Sequence, residues 1–214
     1  MNVDKAISLH PITAEHEEIF RTVVFMSKMK NKRKVIKDEL SSAFNNRKND
    51  VNTALAYAVF CLLPCETEDV LVQKESIETA IEVFDHIIKL EPGNWLARYS
   101  KARLMSLFSD SFREEREIID ELDTLISMQE NSKYEPYYIL PYMLYAELLV
   151  NNGEMERAKA YIEKAASMET APITLLKDFL YHQLLSFESK LRSFEEFETA
   201  NRVRQIMRKL FPAV

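Results

Sequence analysis

The sequence predicts an all-α protein, and three observations carry that prediction. The 214-residue chain holds only two glycines, Gly93 and Gly153. Glycine weakens a helix interior by about 1 kcal/mol relative to alanine, so few helix interiors here are weakened that way. Apolar residues recur at helical spacing, as in Ile19, Val23 and Met26, which fall at i, i+4 and i+7. Helix pairs punctuated by prolines then repeat: Phe84 to Leu122 is 38 residues and Leu122 to Ile162 is 40. A period of that size marks stacked supersecondary units, none of which buries its apolar face alone.

The elements follow in order. Residues 1–12 read as irregular and end at Pro11. A helix is expected from about Thr13 to Lys30 and a second from Lys34 to Phe44. Asn45, Asn46, Asn49 and Asp50 make a polar break, dividing an N-terminal helical segment, 1–50, from a repeat domain, 51–214. Four helix pairs are expected in that domain. They span about Asn52–Leu62 with Asp69–Leu90, Trp95–Phe108 with Phe112–Met128, Pro141–Asn151 with Glu154–Met168, and Ile173–Leu191 with Phe194–Leu210. Pro92-Gly93-Asn94 closes the first pair, because proline cannot continue the hydrogen-bond ladder. Ser111 with Glu114, and Ser193 with Glu196, have capping-box spacing.

Composition excludes several chemistries. No stretch holds the clustered glycines of a phosphate-cradling loop. The net charge of −6 is uneven: residues 1–50 carry ten Lys/Arg against seven Asp/Glu, and residues 51–214 carry 18 against 27. An acidic repeat region argues against wholesale nucleic-acid binding there, and neither nucleic acid nor membrane is the expected partner. Met1 to His10 lacks a basic stretch followed by an apolar one, and the longest apolar run, Ala54 to Leu63, is too short to span a bilayer. A cytoplasmic location is expected. Cys61 and Cys65 are too few for a structural zinc site, and His10, His16, His86 and His182 are scattered. No cofactor, metal or catalytic group is expected.

The segment Leu144 to Met168, LYAELLVNNGEMERAKAYIEKAASM, resembles the tetratricopeptide repeat family. Ala146 supplies the small residue of the first helix, Gly153 the turn, and Ala158, Ile162 and Ala165 the small–large–small stripe of the second. Ala80, Phe84 and Pro92 match the family's second helix and closing proline, and Ala102 the small position of the next helix. Lys101 stands where the family usually has leucine. Alanine at a crossing lets helices approach, and a large residue one turn on fills the neighbouring groove. A period near 40 also admits a HEAT-like reading, but the Ala158–Ile162–Ala165 spacing favours the first. The resemblance implies a right-handed superhelical α-solenoid of antiparallel helix pairs, with extra N-terminal helices.

In that family the first helix of each repeat lines a concave face. By matching position, Leu96, Tyr99 and Arg103, then Leu140, Met143 and Glu147, would line a groove for a protein or peptide partner. These residues do not form the family's clamp for a C-terminal carboxylate. A non-catalytic adaptor or scaffold is therefore the expected function. Tyr138, Tyr142 and Tyr145 share a helix face, which either packs inward or forms an aromatic contact patch. Phe179, Phe187, Phe194, Phe197 and Phe211 either cap the repeats or dock a second copy of the chain. Lys28, Lys30, Lys32, Arg33, Lys34 and Lys37 put six cations in ten residues. They form either a solvated turn or an anion patch for nucleic acid or membrane.

Overall fold

The computed structural model describes residues 9–63, 70–107 and 115–212. Ten α-helices occupy these residues: α1 Ala14–Ser27, α2 Arg33–Asn46, α3 Val51–Leu62, α4 Val70–Leu90, α5 Trp95–Leu107, α6 Glu115–Glu130, α7 Leu140–Asn151, α8 Met155–Ser167, α9 Lys177–Ser193 and α10 Phe197–Leu210. Short 3₁₀ turns cover Lys30–Lys32 and Pro136–Ile139. An isolated parallel bridge joins His10 and Asn94. The chain is all-α, as its glycine poverty and periodicity predict. The loop with Cys65 and the Ser111–Glu114 capping box lie outside the described residues.

Two compact units emerge, residues 1–115 and 116–214. The division falls well after the polar break at 45–50, because α1 and α2 both pack on α3. In the first unit α3 also packs on α4, and α4 on α5. Asp50 starts α3 by accepting from the Asn52 and Thr53 amides at 3.1 and 3.3 Å. Its carboxyl is held below the usual range, chiefly by the Thr53 hydroxyl. Phe60, Phe84, Ile87, Trp95 and Ala102 form a fully buried core. Lys101 is buried here too, and its ammonium lies 2.7 Å from Asp85. Residues 9–13, directly before α1, form a strap: the His10 amide donates to Gly93 O at 2.8 Å, and Leu9 and Ile12 are buried.

The second unit holds the clearest repeats. Helix α7 packs on α8 and α9 on α10, and the pairs stack, α7 against α9 and α8 against α10. Both hairpins turn the same way. The Glu154 amide reaches Leu149 O and the Gly153 amide Val150 O, at 2.8 and 3.1 Å. The Glu196 amide reaches Leu191 O and the Glu195 amide Arg192 O, each at 3.0 Å. These are Schellman closures, which need a left-handed residue after the helix end. Gly153 supplies it once, and Glu195 the second time. Ala158 and Ala200, five residues on from each, are both fully buried.

Two expectations here are corrected. Ser193 and Glu196 do not form a capping box. Ser193 stays in the last turn of α9, where its hydroxyl donates to Lys190 O at 2.7 Å, because the left-handed turn comes later, at Glu195. Helix α9 begins at Lys177 rather than Ile173. The Ile173 amide is committed to Leu210 O at 2.8 Å, and Leu176 has a left-handed φ of 54°. Glu188 then locks α9 to α10 as a buried carboxylate paired with Arg192 and, at 3.1 Å, with Arg204.

Candidate functional site

The six side chains expected to line a groove are all inside. Leu96, Tyr99, Arg103, Leu140, Met143 and Glu147 are each buried, none more than 9% exposed. The reason is legible in α7, LPYMLYAELLVN: a helix apolar all round has no solvent face to offer. Helix α5 is similarly enclosed, with even Ser100, Lys101 and Arg103 buried. These residues serve packing, and Trp95 and Tyr99 stack at 4.9 Å.

Tyr138, Tyr142 and Tyr145 are buried as well, so the inward alternative describes them. Tyr145 stacks on Tyr161 with ring centres 4.3 Å apart. Burial raises the phenol pKa of all three above the ordinary value.

The cation cluster is divided. Arg33 is buried, with its guanidinium 4.8 Å from the Phe60 ring centre and donating to the Leu63 carbonyl. It belongs to the interior and leaves the anion patch. Lys37 donates to the Ser76 hydroxyl at 2.7 Å. Lys28, Lys32 and Lys34 are exposed, and the side chain of Lys30 lies outside the described set. Cys61 is buried. His16 caps α1, His10 belongs to the strap, and His86 meets Lys48 O at 2.6 Å. Among the described residues no group of three or more His, Cys, Asp or Glu could hold a metal. Nor is any described helix long and apolar enough to cross a membrane.

A cleft lies between α8 and α10 in the second unit. Its volume is about 770 Å³, and Lys159, Ile162, Glu163, Glu195, Phe197, Glu198 and Arg202 are among its walls. Ile162 comes from the α8 stripe. Phe197, on the first turn of α10, is 54% exposed, and Phe194 before it 53%. Of the C-terminal phenylalanines, Phe187 and Phe211 are buried and Phe179 is half-buried, so the exposed ones are Phe194 and Phe197.

Charge in the cleft is ordered. Arg202 grips Glu163 with two parallel hydrogen bonds, Nε to Oε1 at 3.0 Å and Nη2 to Oε2 at 2.8 Å, the fork geometry that fixes both groups. Lys159 reaches Glu156 at 3.0 Å and Glu196 at 3.4 Å. Its pKa is raised, first by the Glu156 hydrogen bond. The exposed Glu195 and Glu198 stand in no ion pair among the described residues. The cleft therefore joins an apolar floor and rim to a surplus of carboxylate. Sequence reasoning missed it because α8 and α10 each show a clear polar face, and only their packing turns those faces into opposite walls.

Comparison with known proteins adds one finding. The tetratricopeptide repeat family model matches residues 141–171, which take in α7 from its second residue, the Gly153 turn and α8. No curated protein and no solved structure gives a significant match to the chain.

Proposed function

We propose that this tetratricopeptide-like helical repeat protein is a non-catalytic adaptor, and that a segment of its protein partner docks in the cleft between α8 and α10. The observation that carries the reading is Phe197. It is a large apolar side chain more than half exposed at the edge of a concave surface that ends the matched repeat. Aromatic anchors of this kind carry much of the binding energy in protein interfaces. The surplus of Glu195 and Glu198 favours a segment with Lys or Arg beside an apolar residue, since complementary charge sets specificity and association rate.

Partners recovered from the source cell provide the test. Affinity of a recovered partner is measured against the native chain, Phe197→Ala and Glu198→Lys. Phe197→Ala is expected to weaken binding about tenfold or more, and Glu198→Lys to make it less sensitive to salt. Both variants should keep native helicity, because both side chains are exposed. Unchanged affinity in both variants overturns the assignment of the cleft.

A further inference from the structure

The first unit carries a second surface of opposite character. From Ile19 to Lys37 the chain has no Asp or Glu. Of the eight large hydrophobic side chains exposed among the described residues, three fall within residues 25–35: Phe25 at 63%, Met29 at 39% and Val35 at 56%. The amides of Lys28, Met29 and Lys32 fold back on Phe25 O, Met26 O and Met29 O at 3.2, 3.1 and 2.8 Å. The end of α1, the 3₁₀ turn and the start of α2 are thereby drawn into one tight tip. Lys28, Lys32 and Lys34 are exposed on it.

We infer that this tip docks on the surface of an anionic phospholipid bilayer, with Phe25, Met29 and Val35 entering the headgroup boundary between lysines that meet the lipid phosphates. Three observations favour lipid over nucleic acid. Arg33, the residue best shaped to fork a backbone phosphate, is turned inward onto Phe60. Lys37 is committed to Ser76. What stays outside is lysine mixed with bare aliphatic and aromatic groups, and lysine's long stem lets its charge sit at the headgroups while neighbouring apolar groups go deeper. The remainder of the chain is acidic, so the tip is also the part that an anionic surface attracts rather than repels.

Vesicle sedimentation tests this with the full chain. Vesicles of phosphatidylserine and phosphatidylcholine in equal parts are compared with phosphatidylcholine alone, at low and physiological salt. Retention on the mixed vesicles only is expected. The pair Lys32→Gln and Lys34→Gln should weaken it about fivefold per lysine. The pair Phe25→Ser and Val35→Ser should weaken it without changing its salt dependence. Circular dichroism of each variant verifies the fold, which exposed positions should leave intact. Equal retention on both vesicle types overturns the proposal, as does retention indifferent to the Phe25 and Val35 pair. So does tighter binding of polyglutamate or single-stranded RNA than of the mixed vesicles. None of the residues changed in this test belongs to the α8–α10 cleft, so failure here leaves the partner-binding reading standing.

Discussion

Gly153 and Glu195 hold the same place in successive hairpins of the second unit, both left-handed, with φ of 76° and 62°. They differ in what that conformation costs. A residue with a Cβ loses about 1–2 kcal/mol there, while glycine adopts it freely. Glu195→Gly should therefore stabilise the protein, by roughly 0.5–1 kcal/mol once glycine's extra freedom in the unfolded chain is subtracted. Gly153→Ala should destabilise it by about 1 kcal/mol, through conformation alone, since nothing lies within 4 Å of the added carbon. Urea denaturation of both variants measures the opposite signs.

Lys101 and Asp85 predict an asymmetry. The Lys101 side chain is 7% exposed and that of Asp85 35%. Lys101→Leu replaces the buried ammonium with an apolar side chain and leaves behind a carboxylate that water can reach. Asp85→Ala takes a counter-charge from a buried ammonium, at a cost of about 1–3 kcal/mol, between the values for surface and fully buried pairs. Asp85→Ala should be the more destabilising of the two in thermal melts.

His16 makes α1 sensitive to pH. Its Nδ1 accepts from the Thr13 amide at 3.2 Å, while the Thr13 hydroxyl accepts from the His16 amide at 3.4 Å. Burial lowers its pKa below 6.5, against smaller opposing effects of Glu15 and Glu91. The unfolded chain then binds the proton more readily than the folded one. The histidine's contribution is complete above 6.5 and falls as pH drops through 6.5 toward the lower folded value. His16→Gln keeps an acceptor at the third helical position and removes the proton. The stability gap between native chain and variant should shift in the variant's favour from about pH 8 to pH 5, by no more than about 2 kcal/mol, the value of a cap.

Tyr134 carries a hydroxyl that is buried and finds no hydrogen-bond partner among the described residues. Burial also pushes its pKa up to about 12. A stranded hydroxyl costs about 1–3 kcal/mol. Tyr134→Phe keeps the ring, whose centre lies 6.1 Å from that of Tyr138 in a T-shaped pair, and should raise stability by about 1 kcal/mol. A fall in the melting temperature would refute this.

Much of the repeat packing was legible in the sequence. Ala80, Ala102, Ala146, Ala158 and Ala165 are all fully buried, because a close helix crossing tolerates only a small side chain and so leaves a fixed mark on composition. Binding surfaces leave no such mark. Tyr99 and Met143 are expected from the sequence to face a groove, yet they are 2% exposed. Tyr99→Ala is thus a core deletion rather than a test of binding. The hairpin at Glu195 was obscured because glutamate gives no sign of a left-handed turn, and the Ser193–Glu196 spacing imitated a cap. Arg33 was counted with its neighbours because sequence records charge but not direction.

The strap at His10 bears on the order in which the first unit is completed during synthesis. Its partners lie at the turn between α4 and α5, with His10 and Glu91 81 positions apart. At about 5–20 residues per second, roughly 4–16 s of translation separate the strap from the residues that receive it. Through that interval Leu9 and Ile12 have no completed surface to cover, so the earliest-made part of this unit is among the last to settle.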